Sequence, residues 1–595
     1  VGSTIKKLQL LFNRSEKKKF LILFLMMIMA ALLETLGIGL IIPFVEMVTN
    51  PDIIHENAIL SFVYNLFKFH STNLFLIFSV VILLCIFVFK NIYLLLYAYL
   101  QNKVILNQQV KLSRELFKEY LTKPYTFHLQ SNTADLLRNV NQEVPRVLQG
   151  IIMAGFGLMT ESLVIICILS LLLVTAPIPT VVAAILLGGS VFLFYKIFRK
   201  KMSELGKDQQ IVSGLMIKWV NQGLGASKEV KVSGKENFFV NAYLEQSKRN
   251  AYIARYRIML DQTPRLFLET LLVLIVLMTM LIIIFQGNNT AQVVSTMALF
   301  AMAAFRLMPS INRVMAMITS IRLSQPALSI VYQDLFTNKE EYSNSNITQN
   351  MEVGLDDGAE RIFTDSIRLN DVSFRYPNQK EYSIKDVSLT IPIGQSVAFV
   401  GESGAGKTTL VDIILGLYCS EKGSVLVDGK NLNDLKSLWQ RKIGYIPQSI
   451  FLSDDSIRGN VAFGIASDQI DDKAVWRALE QAHLKEFIES LPEKLETSVG
   501  ERGVRLSGGQ RQRIGIARAL YHNPEILFMD EATSALDTET EKEIMKAIDG
   551  LKGEKTLIII AHRLSTIENC DIVFKINKGR LVAIKNKTEN SISIG

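Results

Sequence analysis

Long apolar runs in roughly the first half of the 595-residue chain constrain its fold more than any other feature. Six are long enough to cross a bilayer, which takes about 20 apolar residues each. They lie near residues 20–48, 73–100, 147–174, 178–198, 266–286 and 290–312. Lipid offers backbone N–H and C=O groups no partners, so each run is expected to be a helix that satisfies its own. With 49% hydrophobic and 20% charged residues, the chain is neither disordered nor an average soluble enzyme.

Lys and Arg orient the spans. They crowd the N-terminal tail (Lys6, Lys7, Arg14, Lys17, Lys18, Lys19) and the long connections after the second and fourth spans (Lys111, Arg114, Lys118; Arg199, Lys200, Lys201). The first-to-second connection holds only Lys68, and the turns at 175–179 and 286–290 hold none. The positive-inside rule then places both termini and both long connections in the cytoplasm of a multi-pass cell (plasma or inner) membrane protein. The long connections are helix-compatible and are expected to extend the membrane helices. The net charge of +8 fits these basic loops. No Lys/Arg strip with interleaved aromatics points to nucleic acid. Cys85, Cys167, Cys419 and Cys570 are too scattered for a metal site or disulfide framework.

The expected domain limits are a six-span unit at 1–337, a polar acidic linker at 338–365 and a soluble α/β unit at 366–595. In the last, 397–400, 442–446, 526–529 and 556–560 read as buried strands of a largely parallel sheet. Gly401-Glu402-Ser403-Gly404-Ala405-Gly406-Lys407-Thr408 fits GxxxxGK[ST] between a strand and a helix, the setting of a phosphate-binding loop. Its N–H groups wrap phosphate oxygens, Lys407 reaches the β- and γ-phosphates, and Thr408 ligates Mg²⁺. Thr409 follows in the same nucleotide-binding set. The strand at 526–529 runs into Asp530, placed for Mg²⁺, and Glu531, the candidate base.

Leu506-Ser507-Gly508-Gly509-Gln510 lies between these motifs, and with it the chain resembles the ATP-binding-cassette (ABC) proteins along its whole length. The resemblance implies a six-span helical membrane domain fused to an α/β P-loop cassette, an ATPase-coupled exporter using ATP and Mg²⁺. It assigns Tyr376 to adenine stacking, and Gln448 to sensing the γ-phosphate and contributing to the metal site. Asp537 becomes part of the D-loop, and His562 the switch histidine. Ser507, Gly508, Gly509 and Gln510 would act on a nucleotide held by another cassette. One chain has one cassette and six spans, half of the usual twelve, so a homodimer is expected. Coupling helices are expected at 125–130 and 223–228.

Cargo is read from the spans, where ionisable groups are costly. Lys90, Arg265, Arg306 and Arg313 all fall toward the cytoplasmic leaflet. One reading is snorkelling, or pairing with Glu34, Glu161 and Glu269; Glu34 is expected to lie too far outward to contribute. The other is a basic cavity that captures an anionic headgroup. Apolar residues at helical spacing over 52–70 suggest an amphipathic helix on the outer surface, either packed on the spans or touching a lipid tail. Phe305-Arg306-Leu307-Met308-Pro309-Ser310-Ile311-Asn312-Arg313, Val88-Phe89-Lys90 and Pro264-Arg265-Leu266-Phe267-Leu268-Glu269 resemble flippases of lipid-linked oligosaccharides in bacterial protein glycosylation. That resemblance implies inward-to-outward flipping of a polyprenyl-pyrophosphate glycan. The alternative is a multidrug or general lipid exporter.

Overall fold

Apolar runs with no interior β-turn chemistry become helices, and these continue well past the bilayer. The computed structural model describes residues 7, 8, 10–49, 51–69, 71–175, 177–285, 290–337, 363–377, 379–530, 544–546, 548–561, 567, 569–586 and 592–593. Its contacts divide the chain into two units: Val1–Lys123 with Ser131–Glu341, and Pro124–Gln130 with Tyr342–Gly595.

In the first unit the long helices are α1 (Arg14–Gly39), α2 (Thr72–Thr122), α3 (Ala154–Thr175), α4 (Pro177–Gly225), α5 (Glu236–Phe285) and α6 (Thr290–Tyr332). At 1.5 Å per residue, the 51-residue α2 is about 75 Å long. That is more than twice a hydrocarbon core of about 30 Å, so the helix extends well beyond the bilayer. Five stretches are long and apolar enough to cross a membrane among the described residues. α3 ends at Thr175 and α4 begins at Pro177, so residues 177–179 of the expected turn are already helical. The turn at 286–289 and residues 338–362 of the expected linker lie outside the described residues.

The core of this unit joins α3, α4, α5 and α6 through Ile168, Leu187, Leu268 and Leu307, among others. The connection ahead of α2 forms two short helices, Ile53–Glu56 and Ala58–Leu66. Ile54 is buried with Met47 and Phe75, so one face packs on the spans, while Phe62 and Leu66 stay exposed. The packing on the spans is the reading this face bears out. Of the two expected coupling helices, Tyr125–Gln130 forms as a helix with those bounds. The second is displaced: the short helix is Ser227–Ser233, ended by Gly234 in the left-handed region, and residues 223–225 still belong to α4. Gly234 is the αL residue that such an ending favours.

The second unit has two sheets. β3 (Ser396–Val400), β6 (Ile443–Ile446), β7 (Ile526–Asp530), β8 (Thr556–Ile560) and β9 (Ile572–Asn577) pair in parallel in the order β9-β3-β8-β7-β6. β10 (Arg580–Asn586) and β11 (Ile592–Ser593) extend the β9 edge antiparallel. The second, antiparallel sheet is β2-β1-β4-β5, from Ser366–Phe374 (β1), Ile384–Pro392 (β2), Lys422–Val427 (β4) and Lys430–Asn431 (β5). The sequence reading contains no counterpart for it. Trp439, Phe399 and Phe528 are fully buried in the core shared by the two sheets.

Candidate functional site

Parallel strands deliver their carboxyl ends to one edge, and open α/β sheets bind ligands there. β3 runs into the phosphate-binding loop, β7 ends in Asp530, and Gln448 stands two residues past β6. β8 lies between β3 and β7, so loop and carboxylate flank one strand.

The loop needs its glycines. A Cβ on Gly401 would collide with the carbonyl oxygen of Ile576. Gly406 sits at φ 102° as the N-cap of α7 (Lys407–Ile414), and a Cβ there would lie 2.9 Å from the Ser383 carbonyl oxygen. Lys407 is buried, its Nζ donating to the carbonyls of Gly401 (2.9 Å) and Glu402 (3.0 Å). Ser403, Gly404 and Thr408 are exposed, while Ala405 and Thr409 are buried. The loop therefore presents an open cradle of N–H groups at a helix N-terminus, the setting that receives phosphate.

The residues also fit a divalent cation. Asp530 is buried at 8% exposure. Burial, with the charge of Asp530 beside it, pushes the Asp412 carboxyl on α7 up to about 7. Two carboxylates held close in a dry site raise one another's proton affinity, and a cation relieves that repulsion. Thr408, Asp530 and Gln448 are the side chains that would hold Mg²⁺.

Tyr376, just past β1, extends its hydroxyl to 2.9 Å from Thr409 Oγ1. It also belongs to an aromatic cluster that no sequence motif announces. Tyr418 stacks on Phe374 (4.9 Å between centroids, 13°), meets Tyr376 edge-on (5.7 Å, 81°) and contacts Tyr125 (5.9 Å). Burial and the neighbouring Tyr376 and Asp412 push the Tyr418 hydroxyl's pKa up. Only the proximity of Tyr418 to the end of α7 marks it in the sequence.

Ser507 caps α8 (Gly508–Leu520) in a reciprocal box: Gln510 N–H donates to Ser507 Oγ (3.2 Å), and Ser507 N–H donates to Gln510 Oε1 (2.9 Å). Ser507 and Gly508 are exposed, and Gly509 and Gln510 half-buried, so this N-terminus opens outward. Glu531, Asp537 and His562 lie outside the described residues.

The basic membrane residues divide into two kinds. Arg306 pairs with Glu34 of α1. Arg313 grips Glu161 of α3 with two contacts, Nε to Oε1 at 2.5 Å and Nη2 to Oε2 at 3.0 Å. This corrects the expectation that Glu34 lies too far outward, and for these two arginines it follows the pairing reading. The heights of helices that are not parallel cannot be compared by counting residues. Lys90 lies beside Gly37 and over the Phe87 ring (4.5 Å), within Coulombic range of Glu34 and Arg306. Arg265 and Glu269 are exposed, and no ion pair joins them among the described residues.

The sequence matches the ABC transporter family over residues 384–534 and the ABC transporter transmembrane region over residues 19–308. It is 32% identical to the ATP-dependent lipid A-core flippase of Cupriavidus metallidurans, over 81% of this chain and 80% of the relative. The protein of that name in Pseudoalteromonas translucida is 30% identical over 85% of this chain and 84% of its own. In fold, the chain resembles a bacterial Atm1-family ABC exporter solved with ATP bound, with a TM-score of 0.76 and 22% identity, covering 97% and 96% of the two chains.

Proposed function

The chain belongs to the ABC transporters, with transmembrane region and cassette fused in an ATPase-coupled membrane translocase, and on that premise we propose that it flips an anionic lipid from the inner to the outer leaflet. The finer reading is a polyprenyl-pyrophosphate-linked oligosaccharide. The relatives are named for a lipid cargo, lipid A-core, which supports the lipid part of this reading.

One observation carries this reading. Lys90 of α2 lies within Coulombic range of the Arg306–Glu34 pair, and seven residues along α6 Arg313 pairs with Glu161. Three cations against two carboxylates leave one positive charge in excess. Arg suits bidentate phosphate contact, so a phosphorylated headgroup would exchange with Glu34 and Glu161 for the same guanidinium groups. Arg265 would add a further cation. The same ion pairs give the alternative, a multidrug or general lipid exporter, its best support, because paired arginines present less charge to a cargo.

In the cassette, Lys407 and the loop amides would hold the nucleotide's phosphates, and Tyr376 its base. Bound Mg²⁺ would neutralise charge developing on the transferred phosphoryl group. Glu531 would orient and polarise the attacking water, Gln448 and His562 would sense the γ-phosphate, and Asp537 would lie in the D-loop. Ser507, Gly508, Gly509 and Gln510 would complete the site of a second copy, which makes the working unit a homodimer with two composite sites. Both termini and the cassette are assigned to the cytoplasm.

The test is reconstitution into liposomes. ATP turnover and flipping are measured with a polyprenyl-pyrophosphate glycan, with lipid A-core and with a neutral lipid. The paired variant Arg306→Ala/Glu34→Ala, which leaves neither charge stranded, should keep basal turnover and lose flipping of the phosphorylated lipid. Normal flipping by that variant, or equal flipping of the neutral lipid, overturns the anionic-lipid reading.

A further inference from the structure

A second anion-suited feature lies away from those arginines, between the first turns of α1 and residues 100–111 of α2. The two helices line a groove of 640 Å³, within the range of about 300–1,000 Å³ typical of ligand sites. Its floor is apolar, with Leu23 and Met26 from α1 and Leu100 and Val104 from α2. Its rim carries Lys19 and Lys103. Toward one end, Glu16 pairs with Lys111, and that pair contributes no net charge. Neither Lys19 nor Lys103 has a carboxylate within ion-pair distance among the described residues.

The depth is readable from sequence. Lys19 immediately precedes the apolar run of α1, and Lys103 stands three residues past Leu100, where the run of α2 closes. Both lysines therefore lie at headgroup level on the cytoplasmic side, as the positive-inside rule requires. The floor, extending from them to Met26, lies against acyl chains. A soluble anion would gain nothing from that floor, and a neutral lipid nothing from the rim.

We propose that this groove binds an anionic phospholipid of the inner leaflet, its phosphate held between Lys19 and Lys103 and an acyl chain laid along Leu23, Met26, Leu100 and Val104. The lipid is a bound component of the transporter, distinct from its cargo, so the site stands whether or not the transport reading holds.

The full-length protein, in mixed micelles with phosphatidylglycerol or phosphatidylcholine, is examined by native mass spectrometry for lipids retained per chain. Two lysines at an interface favour the anionic lipid by about tenfold or more. Lys19→Gln/Lys103→Gln should bring the two lipids within twofold of each other. The Lys19→Arg/Lys103→Arg variant should keep the preference, and Met26→Trp, which fills the floor, should lower retention of both. Basal ATP turnover reports folding of each variant and uses no transport readout. Equal retention of both lipids by the wild type overturns the proposal, as does a Gln variant that keeps the preference. Displacement by glycerol 1-phosphate as effective as by phosphatidylglycerol would mark a soluble-phosphate site and also overturn it. A photoreactive residue at Ile22 should label lipid; labelling of a second protein chain would show the groove covered by another copy and reject the lipid.

Discussion

The membrane half and the cassette obey opposite burial rules. In the cassette, β7 and β8 are buried throughout and charge collects at strand ends, where water or ligand reaches it. In the membrane half the surroundings are themselves apolar. Phe305 is 82% exposed and Leu95 73%, while Glu143 and Glu161 are buried inside. Polarity specifies the interior in one region and decorates the edge in the other. A carboxylate carries a different message in each: Asp530 ends a buried strand at the sheet edge, whereas Glu161 pairs with Arg313. The same chemical group thus needs its solvent stated before it can be read.

The largest test of this contrast removes the carboxylate proposed as the catalytic base. Glu531→Gln should bind ATP normally, leave stability unchanged and lower ATP turnover by roughly 10²–10⁴-fold, the usual loss of a general base. Turnover within about twofold of wild type would remove Glu531 from that role. The converse applies in the membrane half, where charge serves packing. A double-mutant cycle on Glu161→Ala and Arg313→Ala, followed by thermal unfolding in detergent, should give a coupling energy of about 1–3 kcal/mol. Additive effects would show the pair to be incidental.

The smallest effect probes the aromatic cluster, where burial is of the ordinary kind and no charge is involved. Aromatic pairs contribute about 0.5–1.5 kcal/mol beyond their buried area. Tyr418→Ala should therefore weaken ATP binding by roughly 3–10-fold through Tyr376, and Tyr418→Phe should stay within about twofold. Equal losses in both variants would point to the hydroxyl in place of the stack.

This contrast also explains what was legible in advance. The phosphate loop, the strand ending at Asp530 and the box at Ser507 are local: each is a few consecutive residues whose backbone geometry follows from their own chemistry. The spans were legible for the same reason, since a helix in lipid needs only its own residues. The Arg306–Glu34 pair was not, because it depends on the relative heights of two helices hundreds of residues apart in sequence. The β2-β1-β4-β5 sheet escaped because β1 and β2 are interrupted by exposed residues and lack the continuous apolar runs that mark β3, β7 and β8. Tyr418 escaped because stacking has no spacing rule.

One topological detail concerns the chain path. Residues 124–130 cluster with the cassette, although the chain on either side, up to Lys123 and from Ser131, clusters with the membrane half. The excursion enters and leaves through covalent backbone, directly after α2 and before Ser131. Within the cassette unit, Tyr125 of this excursion packs on Tyr418 at 5.9 Å between ring centroids. Thermodynamic reciprocity fixes how nucleotide and cargo answer one another. Whatever factor nucleotide imposes on cargo affinity, cargo imposes on nucleotide affinity, so the response of ATP binding to added lipid reads the same coupling from the other side.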